Sequence, residues 1–301
     1  MIKRVVYAVV IAGLLGGCAT TSKQARIFLH QKNSFEYLPP AALLYIDVDI
    51  KNSRPLLDQI LKNIKQDNKY TKLFLNKTYS VLAAYYNERP DMKFMGISRG
   101  KSYPQGAVNI ALSSNKNWQK NIASNNLDYW SNKRNKISFA LFNSRVFFSD
   151  GIPFLSENGT TEPEDFNNFK KDTAIALWFP DAMIIKNLLD MMDIPVNLPI
   201  DNFFASVEER AGGQWQIIFY FAASSPSYAK ALASMFRIVR GQIKDLNIKD
   251  PLALKLITIM FTQMPQQNGN EVYLTGLPMD TSTLAGLITS AYSIMNKNSK
   301  K

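Results

Sequence analysis

The sequence predicts an α+β fold built as two β-α-β-β-α-β modules in tandem, with extra apolar amphipathic helices. Two observations predict it. Strand patterns and helix patterns recur twice along the chain in the same order, the signature of an internal duplication. The composition, 46% hydrophobic and 20% charged, is that of a folded chain, and its length suffices for two modules that each own a core. With one cysteine in the chain, no intrachain disulfide forms and packing must carry the fold.

The elements follow in order. Ala42-Leu43-Leu44-Tyr45-Ile46-Asp47-Val48-Asp49 reads as an apolar strand leading to a helix over 55–65. Phe94 to Gly100 and Ala107 to Ser114 read as a hairpin whose second strand passes, through a serine pair, into a helix from Trp118 to Ala123. Ile137 to Phe142 closes the first module. The second repeats the order: a strand over 174–179, a helix over 182–192, a hairpin from Phe203–Arg210 and Gln216–Ser225, a helix from about Tyr228, and a strand over 272–277. This order resembles the ferredoxin-like split βαβ module. The modules differ by insertion: 69–87 in the first, and a helix after Asp250-Pro251 in the second.

Glycine, proline and acidic residues cluster between Gly151 and Asp172, which marks a linker. The expected organisation is thus a leader over 1–18, a tether over 19–40, a first α+β module over 41–150, a linker over 151–172 and a second module with apolar helices over 173–301. Charge divides along the same line. The chain carries a net +11, and residues 1–150 hold 22 Lys and Arg against 9 Asp and Glu. A field of that sign favours anionic partners such as phospholipid headgroups.

The leader fixes the compartment. Lys3-Arg4, the apolar run Val5 to Leu15 and Gly16-Gly17 precede Cys18 in the order of a secretory signal. The apolar run is about half the roughly 20 residues needed to span a bilayer. Leu15-Gly16-Gly17-Cys18 resembles the lipobox of bacterial lipoproteins. That resemblance implies cleavage before Cys18 and acylation of its sulfur, and it places the chain in the cell envelope, lipid-anchored at the outer membrane and facing the periplasm.

Residue inventory excludes much chemistry. His30 is the only histidine and falls in the tether, so Ser-His-Asp, Cys-His and multi-histidine metal sites have no partners to work with. Asp47 and Asp49 share one strand face about 7 Å apart, but no partner supports an acid-base role. No Gly-rich phosphate loop is present. The reading is of a protein that is not an enzyme and uses no cofactor and no metal.

The apolar helices carry the functional reading. Leu252 to Met264 contains one charge, Lys255, where an ordinary surface helix has a broad charged face. Leu252, Leu256, Ile259, Met260 and Met264 are its candidate contacts with membrane or an apolar ligand. The C-terminal segment adds Leu284, Leu287, Ile288, Tyr292 and Met295 at helical spacing. Eight of the eleven methionines lie between 183 and 295, and methionine suits surfaces that adapt to varied apolar partners. A second patch interleaves aromatic and basic residues, with Lys116, Lys120, Trp130, Lys133, Arg134 and Lys136 as candidate contacts for anionic headgroups.

Lipobox and helix character together resemble the spirochaetal, especially treponemal, membrane-associated lipoproteins, in which amphipathic helices enter the outer membrane. The resemblance implies membrane association without catalysis, with phospholipid as partner and no nucleic acid. Two alternatives stand beside insertion: a periplasmic carrier whose helices wall a pocket for a lipid or other apolar ligand, and a scaffold docking onto another envelope protein.

Overall fold

The computed structural model describes residues 34–298 except 41, 89–90, 102–104, 124–126, 135, 143, 154–159, 182–199 and 244–250. Cys18 and the leader, His30, the helix expected over 182–192 and the centre of the linker lie outside the described residues. The chain divides into two compact units: one runs to Pro163 and takes in 295–301, the other spans Glu164–Ile294.

In the first unit a 3-10 turn, Phe35–Tyr37, precedes strand β1 (Ala42–Asp49), helices α1 (Arg54–Asn63) and α2 (Lys69–Lys77), and the hairpin β2 (Thr78–Glu88) and β3 (Asp91–Gly100). Helix α3 (Gln105–Ser113) and strands β4 (Trp118–Ile122), β5 (Asp128–Asn132), β6 (Ser138–Phe142) and β7 (Arg145–Ser149) follow. The strand order is β1-β2-β3-β7-β6-β5-β4, antiparallel throughout. One face is covered by the three helices, whose Leu61, Phe74, Leu75, Val108 and Leu112 pack with Tyr85, Phe94, Phe139 and Phe148. On the other face Tyr37 joins Ile97, Ala140, Phe142 and Phe147, its ring edge-on to Phe147 at 5.2 Å. Phe35, Tyr37 and Leu38, near the end of the segment read as tether, are therefore buried, and the Tyr45 hydroxyl donates to the Pro39 carbonyl.

Helices α1 and α2 form a hairpin. Pro55 suits the first turn of α1, and Leu56, Ile60 and Leu61 give it one buried face. Its end is a Schellman motif: the Gln66 amide donates to Leu61 at 2.8 Å and the Lys65 amide to Lys62 at 3.0 Å. Arg54 at the start of α1 bonds Asn76 near the end of α2 at 2.8 Å, so the α1–α2 connection lies at the opposite end of the pair.

The second unit comprises α4 (Glu164–Phe169), β8 (Ile175–Phe179), β9 (Ile200–Arg210), β10 (Gln214–Ala223), α5 (Pro226–Gln242), α6 (Pro251–Met260), β11 (Gln266–Asn268), β12 (Glu271–Thr275) and, up to Ile294, helix α7 (Thr281–Asn298). Its strands run β11-β12-β10-β9-β8. Gly212 and Gly213, at φ 81° and 72°, form the β9–β10 turn, a left-handed conformation that side chains resist. Against one sheet face α5 and α6 bury Ala229, Leu232, Phe236, Val239, Ile257, Met260 and Phe261. On the other, α4 sets Phe166 and Phe169 against Phe204, Trp178 and Tyr220 at 5.5–5.9 Å.

The twelve strands overturn the expected pair of ferredoxin-like modules. In the split βαβ arrangement a helix carries the chain past a neighbouring strand, so that strands joined by a helix do not pair. Here β1 pairs directly with β2, Tyr45 opposite Ala84, although two helices intervene. The second unit likewise lays β8, β9 and β10 side by side in chain order. Three misread segments account for the error: the helix expected over Trp118 to Ala123 is strand β4, paired with β5, and two others misled the pattern. Val108, Ile110 and Leu112 alternate like a strand, but in α3 Val108 and Leu112 are buried at i, i+4 while Ile110 points outward, 75% exposed. The stretch taken as an insertion contains β2, whose Val81 to Tyr85 are all buried; with both faces covered, the alternation that marks a strand is erased.

Candidate membrane-contact surfaces

In the second unit the helix layer has an inner and an outer face. Phe236 stands at the centre of the inner face, its ring 4.9 Å from Phe221 and 5.3 Å from Phe261. The outer face presents Tyr228, Ile238, Leu254 and Met264 to solvent, with Ile238 60% and Met264 58% exposed. Its charges are Lys230, Arg237, Arg240 and Lys255; no acid occurs in 226–242 or 251–264. Arg240 ties the layer together, donating to the Thr262 carbonyl at 3.2 Å and approaching the Met264 sulfur at 3.5 Å. Ser225 starts α5 by accepting from the Tyr228 amide.

The ten residues proposed for apolar contact fall into three groups. Met260, Leu284 and Leu287 are buried. Ile259 and Ile288 are half-buried and Met264 is exposed. For Leu252, Leu256, Tyr292 and Met295 the backbone is helical, and their side chains lie outside the described residues.

In the first unit the basic-aromatic patch spans the β4–β5–β6 end of the sheet. Trp130 is buried, and its indole N–H donates to Asn109 on α3 at 3.0 Å, binding the helix to the sheet. Lys120 pairs with Asp128 at 2.6 Å. Lys116, Lys133, Arg134 and Lys136 are exposed. They sit together because Trp118 pairs with Asn132 and the Lys133 amide bonds Asn117 at 2.9 Å, which brings the α3–β4 and β5–β6 connections side by side.

Acidic residues serve structure. Asp49 accepts from the Asn52 amide at 2.8 Å and shapes the turn into α1. Asp47 lies within electrostatic reach of Arg99. In the second unit Glu271 accepts from Tyr220 at 2.8 Å and from Tyr273 at 2.6 Å; burial, and then the Glu271 carboxylate, push both phenols well above their usual range. Among the described residues no group of three or more His, Cys, Asp or Glu is placed to hold a metal ion. No described helix is long and apolar enough to cross a membrane.

An antiparallel sheet with an apolar helix layer, behind a lipoprotein leader, is the combination that comparison with known proteins tests. Residues 30–150 match the outer membrane-associated lipoprotein TP0453 family. Crystal form III of TP0453 superposes with a TM-score of 0.55 at 14% identity, covering 86% of this chain and 99% of that one. Crystal form I gives 0.54 at 13% identity, covering 87% and 98%. At such identities the TP0453 structures speak for the fold. Comparison with curated proteins finds no match. The likeness to treponemal outer-membrane-associated lipoproteins therefore holds, and the lipid-anchored envelope localisation read from Cys18 agrees with the matched family's description.

Sequence reasoning missed the outward-facing helical residues Ile110 and Ile238, which have no apolar neighbours at i±4 to mark them, and Ile122 on β4. It also missed Lys65, since a helix end without glycine gives no stop signal.

Proposed function

We propose that this chain is a lipid-anchored envelope protein whose folded body engages phospholipid through its apolar helices, without catalysis. The observation that carries the reading is the outer face of α5 and α6, where exposed Ile238, Leu254 and Met264 alternate with cations and no acid. A face of that composition suits the bilayer interface, where apolar side chains enter the acyl boundary and lysine and arginine stay at headgroup level. An acyl chain at Cys18 supplies the first attachment, and one chain alone holds a protein only reversibly, so the body contributes the second. The single cysteine and single histidine support a role without chemistry.

Liposome co-flotation of a Cys18→Ala protein lacking residues 1–17 tests this directly. Salt-resistant flotation with phosphatidylcholine vesicles is the expected result. A body that stays at the bottom of the gradient with every vesicle would refute insertion. Lipid co-purifying with such a body would then favour the carrier.

A further inference from the structure

One end of the first unit is a cationic platform that the patch read from sequence only partly covers. Strands β1 and β3 put Asp49 and Arg99 at one end of the sheet. At that same end α1 begins and α2 stops, since the Ser53 amide bonds Asp49 and the Lys101 amide bonds Lys77. The α1–α2 connection therefore lies toward the other end, where Trp118 and Asn132 also stand. Three connections lie at that end of the sheet, and Lys62, Lys65, Lys116, Lys133, Arg134 and Lys136 are exposed on them. Among the described residues none of the six makes a salt bridge; toward the first end Arg54 pairs with Asp58 at 3.0 Å and Lys120 with Asp128 at 2.6 Å, while Lys51 and Lys101 carry no such pair. The connections bring one acid, Asp67, which pairs with Lys72 at 3.1 Å; Glu88, Asp91 and Asp150, at strand ends, bring three more to this end, and Asp150 is buried, accepting from the Phe94 amide.

Backbone conformation makes the same point independently. Only three described residues other than glycine have positive φ, and two of them are Lys65 at 57° and Lys136 at 56°. Lys65 occupies the Schellman position where glycine is the usual choice, and Lys136 closes the β5–β6 turn in the same conformation. Lysine is a poor choice for the fold at both places and brings a charge to the same end of the sheet.

We propose that this end of the first unit is a docking site for acidic phospholipid headgroups, the six cations meeting phosphates at the membrane surface. The proposal rests on the reading that the folded body works at a membrane, and adds which surface recognises charge. It takes in Lys62 and Lys65 and leaves out Lys120, which is paired, and Trp130, which is core.

The test uses the Cys18→Ala protein lacking residues 1–17 with two vesicle types: phosphatidylcholine alone, and an equal mixture with phosphatidylglycerol. Each lysine near an acidic surface contributes about fivefold to partitioning, so Lys65→Gly with Lys136→Gly should weaken binding to acidic vesicles about 30-fold. Binding to neutral vesicles should not change. Thermal stability should hold or rise, because glycine suits both conformations; loss of binding therefore cannot be laid to unfolding. Lys51→Gln with Lys101→Gln, at the other end, changes net charge equally and should cost much less. Equal losses in the two pairs, or no loss in the glycine pair, would overturn the proposal. So would a parent that binds both vesicle types alike, which leaves the helix reading standing; a parent that binds neither sinks both.

Discussion

Phe236 and Ile238 stand two residues apart on α5 and face opposite ways, which makes them a matched pair for separating stability from membrane contact. Phe236 is 1% exposed, and its ring meets Phe221 and Phe261. Truncation to alanine removes most of a buried aromatic side chain and leaves a cavity between α5, α6 and the sheet, at a cost of about 3–5 kcal/mol. For a unit of this size that corresponds to a fall in Tm on the order of 10–15 °C. Ile238 is 60% exposed, so Ile238→Ala should alter stability by no more than about 0.5 kcal/mol. If Ile238 enters the acyl boundary, its loss should reduce vesicle partitioning about fivefold, the equivalent of roughly 1 kcal/mol of apolar burial. Urea unfolding followed by circular dichroism gives the first quantity and co-flotation the second. A loss below about 1 kcal/mol for Phe236→Ala would refute the packing argument, since core aromatics do not come out so cheaply. Unchanged flotation of Ile238→Ala would refute the assignment of the outer face.

Three further outcomes follow from the packing and ionisation described above. A Cβ at Gly96 would run into the Phe148 ring on the neighbouring strand, so Gly96→Ala should destabilise by about 1–3 kcal/mol in denaturant titration, and Phe148→Leu in the same chain should restore part of it. Trp130→Phe keeps the apolar body and removes the N–H donated to Asn109; it should cost about 1 kcal/mol, measured in the same way. Tyr220 and Tyr273 hold their protons more tightly in the folded state. Above about pH 10 the unfolded chain loses those protons first, so stability falls as pH rises through that range. Tyr273→Phe should shrink the alkaline loss in a pH series of melting curves, and an unaltered alkaline limb would count against this account.

Much of the secondary structure could be read in advance, and most of the topology could not. Ala42–Asp49 was legible because an apolar run is bounded by turn residues, and Pro226–Gln242 because Ser225, Pro226 and a buried stripe announce a helix. Pairing was misread where local pattern and environment disagree. Ile110 gives α3 a strand-like alternation, and the burial of β2 on both faces removes alternation from a strand. The site divides similarly. Lys116, Lys133, Arg134 and Lys136 are close in sequence and were seen as one patch, but Lys62 and Lys65 join them only through the helical hairpin. Trp130 looked like an interfacial aromatic because its sequence neighbours are charged; its β5 register with Phe139 sends it inward. Met260, Leu284 and Leu287 show the general difficulty with an uncharged helix: spacing finds an apolar face without saying what lies against it.

The burial of Phe35, Tyr37 and Leu38 bears on how load passes through the molecule. They stand about 16 residues past Cys18, the proposed anchor, with Phe35 packed against Tyr45 and Tyr37 against Phe147. With an acyl anchor at Cys18 as proposed, a pull on it would reach buried aromatic side chains of the first unit. Extraction of such an anchor from a membrane would then compete with unpacking the Phe35 and Tyr37 rings.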